Sequence, residues 1–232
     1  MNDFIIVFGM HRSGTSCLTG CLKNYGLTLG DVSNPSKYNQ KGNQEKKEVF
    51  RLNEDLLNFN SGSWDSPPKS DLLNVKEEFA TRRDNIIDGF KLLEKPWGIK
   101  DPRMLFTYPF WETGLSKHVF VGTFRHPTAV ASSLAARKNI AVPITKGFDL
   151  WYQYNQKLLA YYHQLGFPII NFDLPNNEYL EKVKKIARLL SLDNTTQCDF
   201  FDPGLKHQSI DKNLNIPNRC QLLYEKLLDI SI

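Results

Sequence analysis

The chain has 232 residues, 41% hydrophobic and 23% charged, with 29 Lys and Arg against 25 Asp and Glu for a formal charge of +4, and its pI is near 8.8. These values fit one soluble globular domain over 1–232, large enough to bury a core. The mild positive balance suits an anionic ligand. It falls short of a nucleic-acid footprint, because no stripe of Lys and Arg interleaved with aromatics appears, and no stretch is long enough to span a membrane.

From the N-terminus, Phe4-Ile5-Ile6-Val7-Phe8 reads as a buried strand and Cys17 to Leu22 as part of a helix over 14–25. Gly9-Met10-His11-Arg12-Ser13-Gly14-Thr15-Ser16 joins them. A glycine-bearing loop between strand and helix is a phosphate site: its N–H groups curl inward at an anion, and the helix N-terminus adds partial positive charge. Arg12, Ser13, Thr15 and Ser16 place four donors in that turn. Gly9 to Gly14 has the spacing of the phosphate loop of nucleotide triphosphatases, yet Thr15 stands where that loop needs lysine. The cation sits at Arg12 instead, which argues against ATP hydrolysis and for another phosphate-bearing ligand. Cys17 and Cys21, one helical turn apart, read as small buried residues; with Cys198 and Cys220 they form neither a CxxC pair nor a zinc spacing.

Helical patterns follow over 44–59 and 71–93. Glu45, in Asn39-Gln40-Lys41-Gly42-Asn43-Gln44-Glu45, opens the first of them after a glycine turn. It reads either as a general base or as a first-turn acid that complements the helix dipole. Ser61 to Pro68 is a loop that carries Trp64, and residues 37–68 are the expected acceptor side, together with Trp151. Such aromatic faces suit sugar rings or apolar acceptors, and equally a core.

Further strands are expected at 97–100, 119–124 and 168–172, with helices at 127–138, 146–165 and 176–191. No strand alternates strictly, so each is covered on both faces. The fold class is therefore α/β: a P-loop-like three-layer sandwich with a central parallel sheet flanked by helices. Ligands in such sheets bind beyond the carboxyl ends of the strands. Lys100-Asp101-Pro102-Arg103 stands at one such end, where Asp101 reads as a helix N-cap or a catalytic group. Arg125-His126-Pro127 stands at another, with Ser133 eight residues beyond Arg125. Arg125 and Ser133 can grip a phosphate between them, or Arg125 can pair with a nearby Asp. The basic cluster Lys182, Lys184, Lys185 and Arg188 reads as a solvated helix face, and Leu222, Leu223, Leu227 and Leu228 as an amphipathic helix.

Arg12-Ser13-Gly14-Thr15-Ser16, with Arg125 and Ser133, resembles the sulfotransferases that use 3′-phosphoadenosine 5′-phosphosulfate (PAPS). The resemblance implies that Arg12, Ser13, Gly14, Thr15 and Ser16 hold the 5′-phosphosulfate and that Arg125 and Ser133 hold the 3′-phosphate. Arg12 to Thr15 and Lys100 to Arg103 are most similar to bacterial and Golgi-type carbohydrate sulfotransferases, a branch that Arg137 and the run Trp151 to Asn155 also fit. The likeness extends to about residue 172. Missing from it is the Gly-rich basic C-terminal element that closes over the nucleotide in cytosolic members, for which Lys206, His207 and Arg219 are the substitutes at hand. The implied reaction moves a sulfuryl group from PAPS to a hydroxyl or amine of a carbohydrate or small molecule and leaves 3′,5′-diphosphoadenosine (PAP), with no metal. Arg12 stabilises the leaving group, Lys100 or Arg103 contacts the sulfonate or acceptor, and Glu45 is the base ahead of His11. His118 and His126 are expected to be structural or to contact nucleotide, and His163 to pack. The expected partners are a nucleotide donor and a hydroxyl-bearing acceptor, in a reducing, cytoplasmic setting. A small-molecule P-loop kinase with Asp101 on magnesium, and a nucleotide-binding protein without chemistry, are the alternatives.

Overall fold

The computed structural model describes residues 3–32, 40–70, 72–137, 141–193, 195, 198–205, 210–211 and 213–232. Strands β1 (Phe4–Phe8), β2 (Trp97–Lys100), β3 (His118–Phe124) and β4 (Ile169–Asn171) form a parallel sheet in the order β2-β1-β3-β4. Phe4 is in register with Trp97 on one side and His118 on the other.

Alternation along β1 divides the core. Phe4, Ile6 and Phe8 enter one layer with α2 (Lys47–Phe59), α3 (Glu77–Phe90), α4 (Met104–Glu112), α5 (Pro127–Ala135), α6 (Ile144–Leu165) and α8 (Asn218–Ile230). Ile5 and Val7 enter the other with α1 (Thr15–Asn24) and α7 (Asn176–Leu189). All five side chains are fully buried, each contributing roughly 1.5–3 kcal/mol. An unbroken apolar strand is what two covered faces require, and the three-layer α/β architecture follows. The connection from β1 leads towards β2 on one side, and that from β3 towards β4 on the other. The crevice above β1 and β3 is thus the topological switch point.

Several boundaries differ from expectation. Of helix α4 the sequence offers only a start, with Asp101 as N-cap and Pro102 at the first helical position. The helix begins later, at Met104 with Arg103 at the N-cap, and its extent shows no 3.6-residue period because it is apolar on most sides and carries Pro109. The 44–59 helix begins only at Lys47, which leaves Glu45 ahead of it in irregular backbone, after Gln44 at φ 56°. The first-turn acid of that helix is Glu48, so the dipole reading of Glu45 falls away. The 71–93 pattern contracts to Glu77–Phe90 and the 127–138 pattern to Pro127–Ala135; residues 71 and 138 lie outside the described residues. In α8, Leu223 and Leu227 are buried while Leu222 and Leu228 are exposed, as an amphipathic helix demands. Among the described residues no helix is long and apolar enough to cross a membrane.

Candidate functional site

The loop after β1 is held in a conformation that few residues tolerate. Gly14 has φ 82° and its Cα faces the Phe172 ring, so a Cβ there would run into the ring. Arg12 also takes a left-handed φ of 67°. Ser13 N donates to Met10 O at 3.2 Å, and Thr123 Oγ1 of β3 donates to Ser13 O at 3.1 Å. These bonds fix the loop on its neighbouring strand. No side chain caps the N-terminus of α1, and the buried Ser13 Oγ has no partner among the described residues. A buried unpaired hydroxyl costs about 1–3 kcal/mol. Together with an uncapped helix N-terminus, it fits a bound oxyanion.

The element after β3 meets this loop directly. Arg12 Nε donates to Ser133 Oγ on α5 at 2.8 Å. Arg125 Nε donates to Asp173 Oδ1 at 2.9 Å, and Asp173 Oδ2 accepts from His126 N at 2.7 Å. The Arg125–Asp pairing weighed from the sequence therefore exists, and Arg125 still faces the cavity, over the Phe172 ring at 5.2 Å. That cavity has a volume of about 420 Å³. Among the described residues six cations line it (Arg12, Lys41, Lys100, Arg103, Arg125 and Arg137) against the carboxylates Glu45, Glu54 and Asp202. Burial, then Arg137 and Arg125, push the Arg12 guanidinium pKa down. A pocket that crowds like charges together is complementary to a polyanion.

Lys100 is buried and shared among three acceptors: Glu45 Oε1 at 2.5 Å, Asn43 O at 2.9 Å and Ser16 Oγ at 3.4 Å. Ser16 Oγ itself donates to Asn43 O at 3.0 Å. Lys100 thereby ties residues 43–45 to the first turn of α1. Burial raises the Glu45 pKa, while the Lys100 charge pulls the other way.

No protein-family profile matches the chain, and no curated protein matches it by sequence. Solved structures do. The sulfotransferase domain of the Synechococcus PCC 7002 olefin synthase aligns over 97% of this chain and 94% of its own, with a TM-score of 0.61 and 15% identity. The sulfotransferase domain of the curacin biosynthetic pathway aligns over 98% of both chains, with a TM-score of 0.54 and 12% identity. The fold is that of sulfotransferase domains. One neighbour comes from an olefin synthase and the other from a biosynthetic pathway, so the likeness reaches the sulfotransferase fold and not its carbohydrate branch.

Within this sulfotransferase fold, Arg12, Gly14, Thr15, Ser16, Glu45, Lys100 and Arg125 line one crevice, while Ser133 meets it through Arg12 and Ser13 is buried in the loop beneath. His11 lines it too, its ring 5.0 Å from Trp64 and 5.7 Å from Tyr154. Burial, then the charges of Arg103, Lys100, Arg137 and Arg12, push its pKa well down, so the imidazole is neutral at pH 7. Trp64 reaches the crevice because its loop is pinned to α6: Tyr154 OH donates to Trp64 O at 2.7 Å, and Lys146 pairs with Asp65 at 2.7 Å. Arg137 lies over the Trp64 ring at 5.9 Å.

Other candidates fall elsewhere. Trp151 is a core residue whose Nε1 donates to Arg125 O at 2.8 Å, not an acceptor platform. Asp101 is fully buried: it accepts from Arg103 N at 2.9 Å, from Arg103 Nη1 at 2.9 Å and from Asn53 Nδ2 at 3.1 Å. Saturated in this way, it starts the turn into α4 and stays out of the cavity. Among the described residues no His, Cys, Asp and Glu group is placed to hold a metal. His118 stands at the amino end of β3 on Tyr108, His126 caps α5, and His163 is exposed beside Tyr162. Arg219 pairs with Asp149 on α6 and is absent from the cavity lining. Lys206, His207 and the 37–39 part of the acceptor segment lie outside the described residues. Cys17 is half-buried rather than buried. Asp173, Phe172, Lys41, Phe200 and Phe201 were missed. Only Asp173 had a signal, its place just beyond the carboxyl end of β4.

Proposed function

We propose that the chain is a PAPS-dependent sulfotransferase that acts on a hydroxyl-bearing acceptor. The supporting observation is the 2.8 Å bond from Arg12 to Ser133. It joins the two phosphate-binding elements, far apart in sequence, around one cation-rich cavity. The 5′-phosphosulfate lies along Arg12 and the amides of residues 13–16, and the 3′-phosphate against Arg125 and Ser133. The acceptor enters past Trp64, Phe50 and Arg103, which line the same cavity. Its hydroxyl gives its proton to Glu45, its oxygen bonds to sulfur, and the bond from sulfur to the phosphate oxygen breaks. Charge then develops on the departing PAP, where Arg12 and the loop amides stand. Lys100 holds Glu45 in place, and burial keeps the carboxylate a stronger base than an exposed one. Arg137 and Trp64 bound the acceptor side. A carbohydrate acceptor, as the sequence resemblance implies, is the finer form of this reading and requires an acceptor screen.

Calorimetry with PAP tests the donor. Micromolar or tighter binding is expected, weakened at least tenfold in Arg125→Lys, which keeps the charge but loses the guanidinium fork. Binding of ATP with magnesium and indifference to PAP would overturn the proposal in favour of a kinase. Glu45→Gln tests the base. Turnover is expected to fall about 10²-fold or more while PAP affinity stays within twofold. A normal rate in that variant would move the base to His11.

A further inference from the structure

Two stretches far apart in the chain meet beside α1 and close one side of the cavity. The first is the loop 40–45. Asn43 O accepts from Ser16 Oγ of α1 at 3.0 Å and from Lys100 Nζ at 2.9 Å, and Gln44 Nε2 donates back to Lys41 O at 2.7 Å. Left-handed φ angles of 77° at Gly42 and 56° at Gln44 turn the loop between those bonds. The second stretch is segment 198–205. Phe200 N donates to Asn24 Oδ1 at 2.9 Å, and the Phe200 ring lies over Gly20, where a Cβ would stand 2.3 Å from it. The Phe201 ring packs on Tyr179 of α7 with centroids 5.5 Å apart. Lys41 and Asn43 of the first stretch line the cavity, as do Phe200, Phe201 and Asp202 of the second.

One side chain fastens the two together. Lys41 Nζ donates to Phe200 O at 2.6 Å and to Asp199 O at 3.4 Å, with the ammonium 5.3 Å from the centre of the Phe200 ring. Among the described residues no carboxylate pairs with this ammonium. Backbone carbonyls orient an ammonium without cancelling its charge, so Lys41 can fasten the wall and still attract a polyanion. Loop and wall are each anchored on α1 by their own bonds, to Ser16 and to Asn24. We propose that Lys41 is a clasp that joins loop 40–45 to segment 198–205 and retains the bound nucleotide behind them, an inference that rests on the sulfotransferase reading for the identity of that nucleotide. Lys100 holds both Asn43 and Glu45 of the same loop. The clasp therefore links retention of the donor to the placement of the base.

The experiment measures PAP dissociation from the full chain, and hydrogen exchange of peptides spanning 198–205, in the parent, Lys41→Met, Gly20→Ala and the double variant. Lys41→Met removes the fastener and its charge together. Gly20→Ala keeps the charge but drives a Cβ into the Phe200 ring, and alanine suits a helix interior better than glycine, so α1 is retained. Each single variant is expected to release PAP about tenfold faster or more, the scale of one charged hydrogen bond, and to exchange faster at 198–205. The double variant is expected to release PAP no faster than Lys41→Met, as for two lesions in one contact. Release unchanged in either single variant, faster release without faster exchange, or effects that multiply in the double variant would each overturn the clasp. Failure of PAP to bind the parent would instead overturn the sulfotransferase reading, and it shows before any variant is compared.

Discussion

Replacing Arg12 by alanine is expected to lower turnover by about 10²–10³-fold at saturating donor, the scale of losing one preorganised charge-stabilising donor. The reasoning is electrostatic. Arg12 is crowded by Arg137 and Arg125, which disfavour its charge until an anion arrives between them. That charge is most valuable where negative charge grows most, on the departing phosphate. The backbone supplies a control for folding. Arg12 holds φ 67°, a left-handed conformation that costs a non-glycine residue roughly 1–2 kcal/mol. Arg12→Gly removes the side chain and the strain together, while Arg12→Ala removes only the side chain. Glycine is therefore expected to melt at or above alanine, with the two equally inactive. Steady-state rates and thermal melts on the two variants check both halves. Parent-like turnover in either would remove Arg12 from the leaving-group site.

What could be read from the sequence follows the range of the interactions involved. The loop between β1 and α1 is a local motif, and its glycines, donors and flanking strand and helix lie within about twenty residues of chain, so its place in the fold was legible. Arg125 and Ser133 were legible because Pro127 marks the start of the helix that carries Ser133, and Arg125 stands just ahead of it at the end of β3. Pairing of Arg125 with an Asp was weighed, but which Asp it is, and the Ser133 bond to Arg12, are set by the β1-β3-β4 order, which no local pattern encodes. Glu45, which lines the cavity, was expected to open a helix, since the glycine turn before it reads as a helix start. Instead, the buried Lys100 from β2 holds that segment irregular. Trp151 looked like an acceptor platform because an aromatic-rich run does not reveal which face is buried. The aromatic wall from segment 198–205 was invisible for a similar reason, as nothing near it announces that Gly20 leaves room for Phe200.

Lys100→Met is expected to destabilise the fold by about 3–5 kcal/mol at pH 7, the usual cost of leaving one member of a buried ion pair without its partner. The Lys100 and Glu45 side chains are only 2% and 11% exposed, so water cannot replace the missing cation. The pH dependence identifies the cause. Burial already raises the Glu45 pKa above its unfolded value of 4.5, and the Lys100 charge and hydrogen bond are what restrain that rise. Without them the folded pKa climbs further. A group whose folded pKa is raised contributes its stability below the unfolded value and loses it as pH rises through the folded value. The deficit of Lys100→Met should therefore be smallest near pH 4.5 and grow towards neutrality. Adding Glu45→Gln removes the stranded charge, so the double variant should recover most of the loss at pH 7. Denaturant melts of the parent, both single variants and the double variant across that range decide the matter. A deficit independent of pH, or a double variant no more stable than Lys100→Met, would mean that Lys100 matters through Asn43 and Ser16 rather than through Glu45. On that outcome the carboxylate would lose its claim to be a lysine-held base, and the neutral His11 beside Trp64 would take its place.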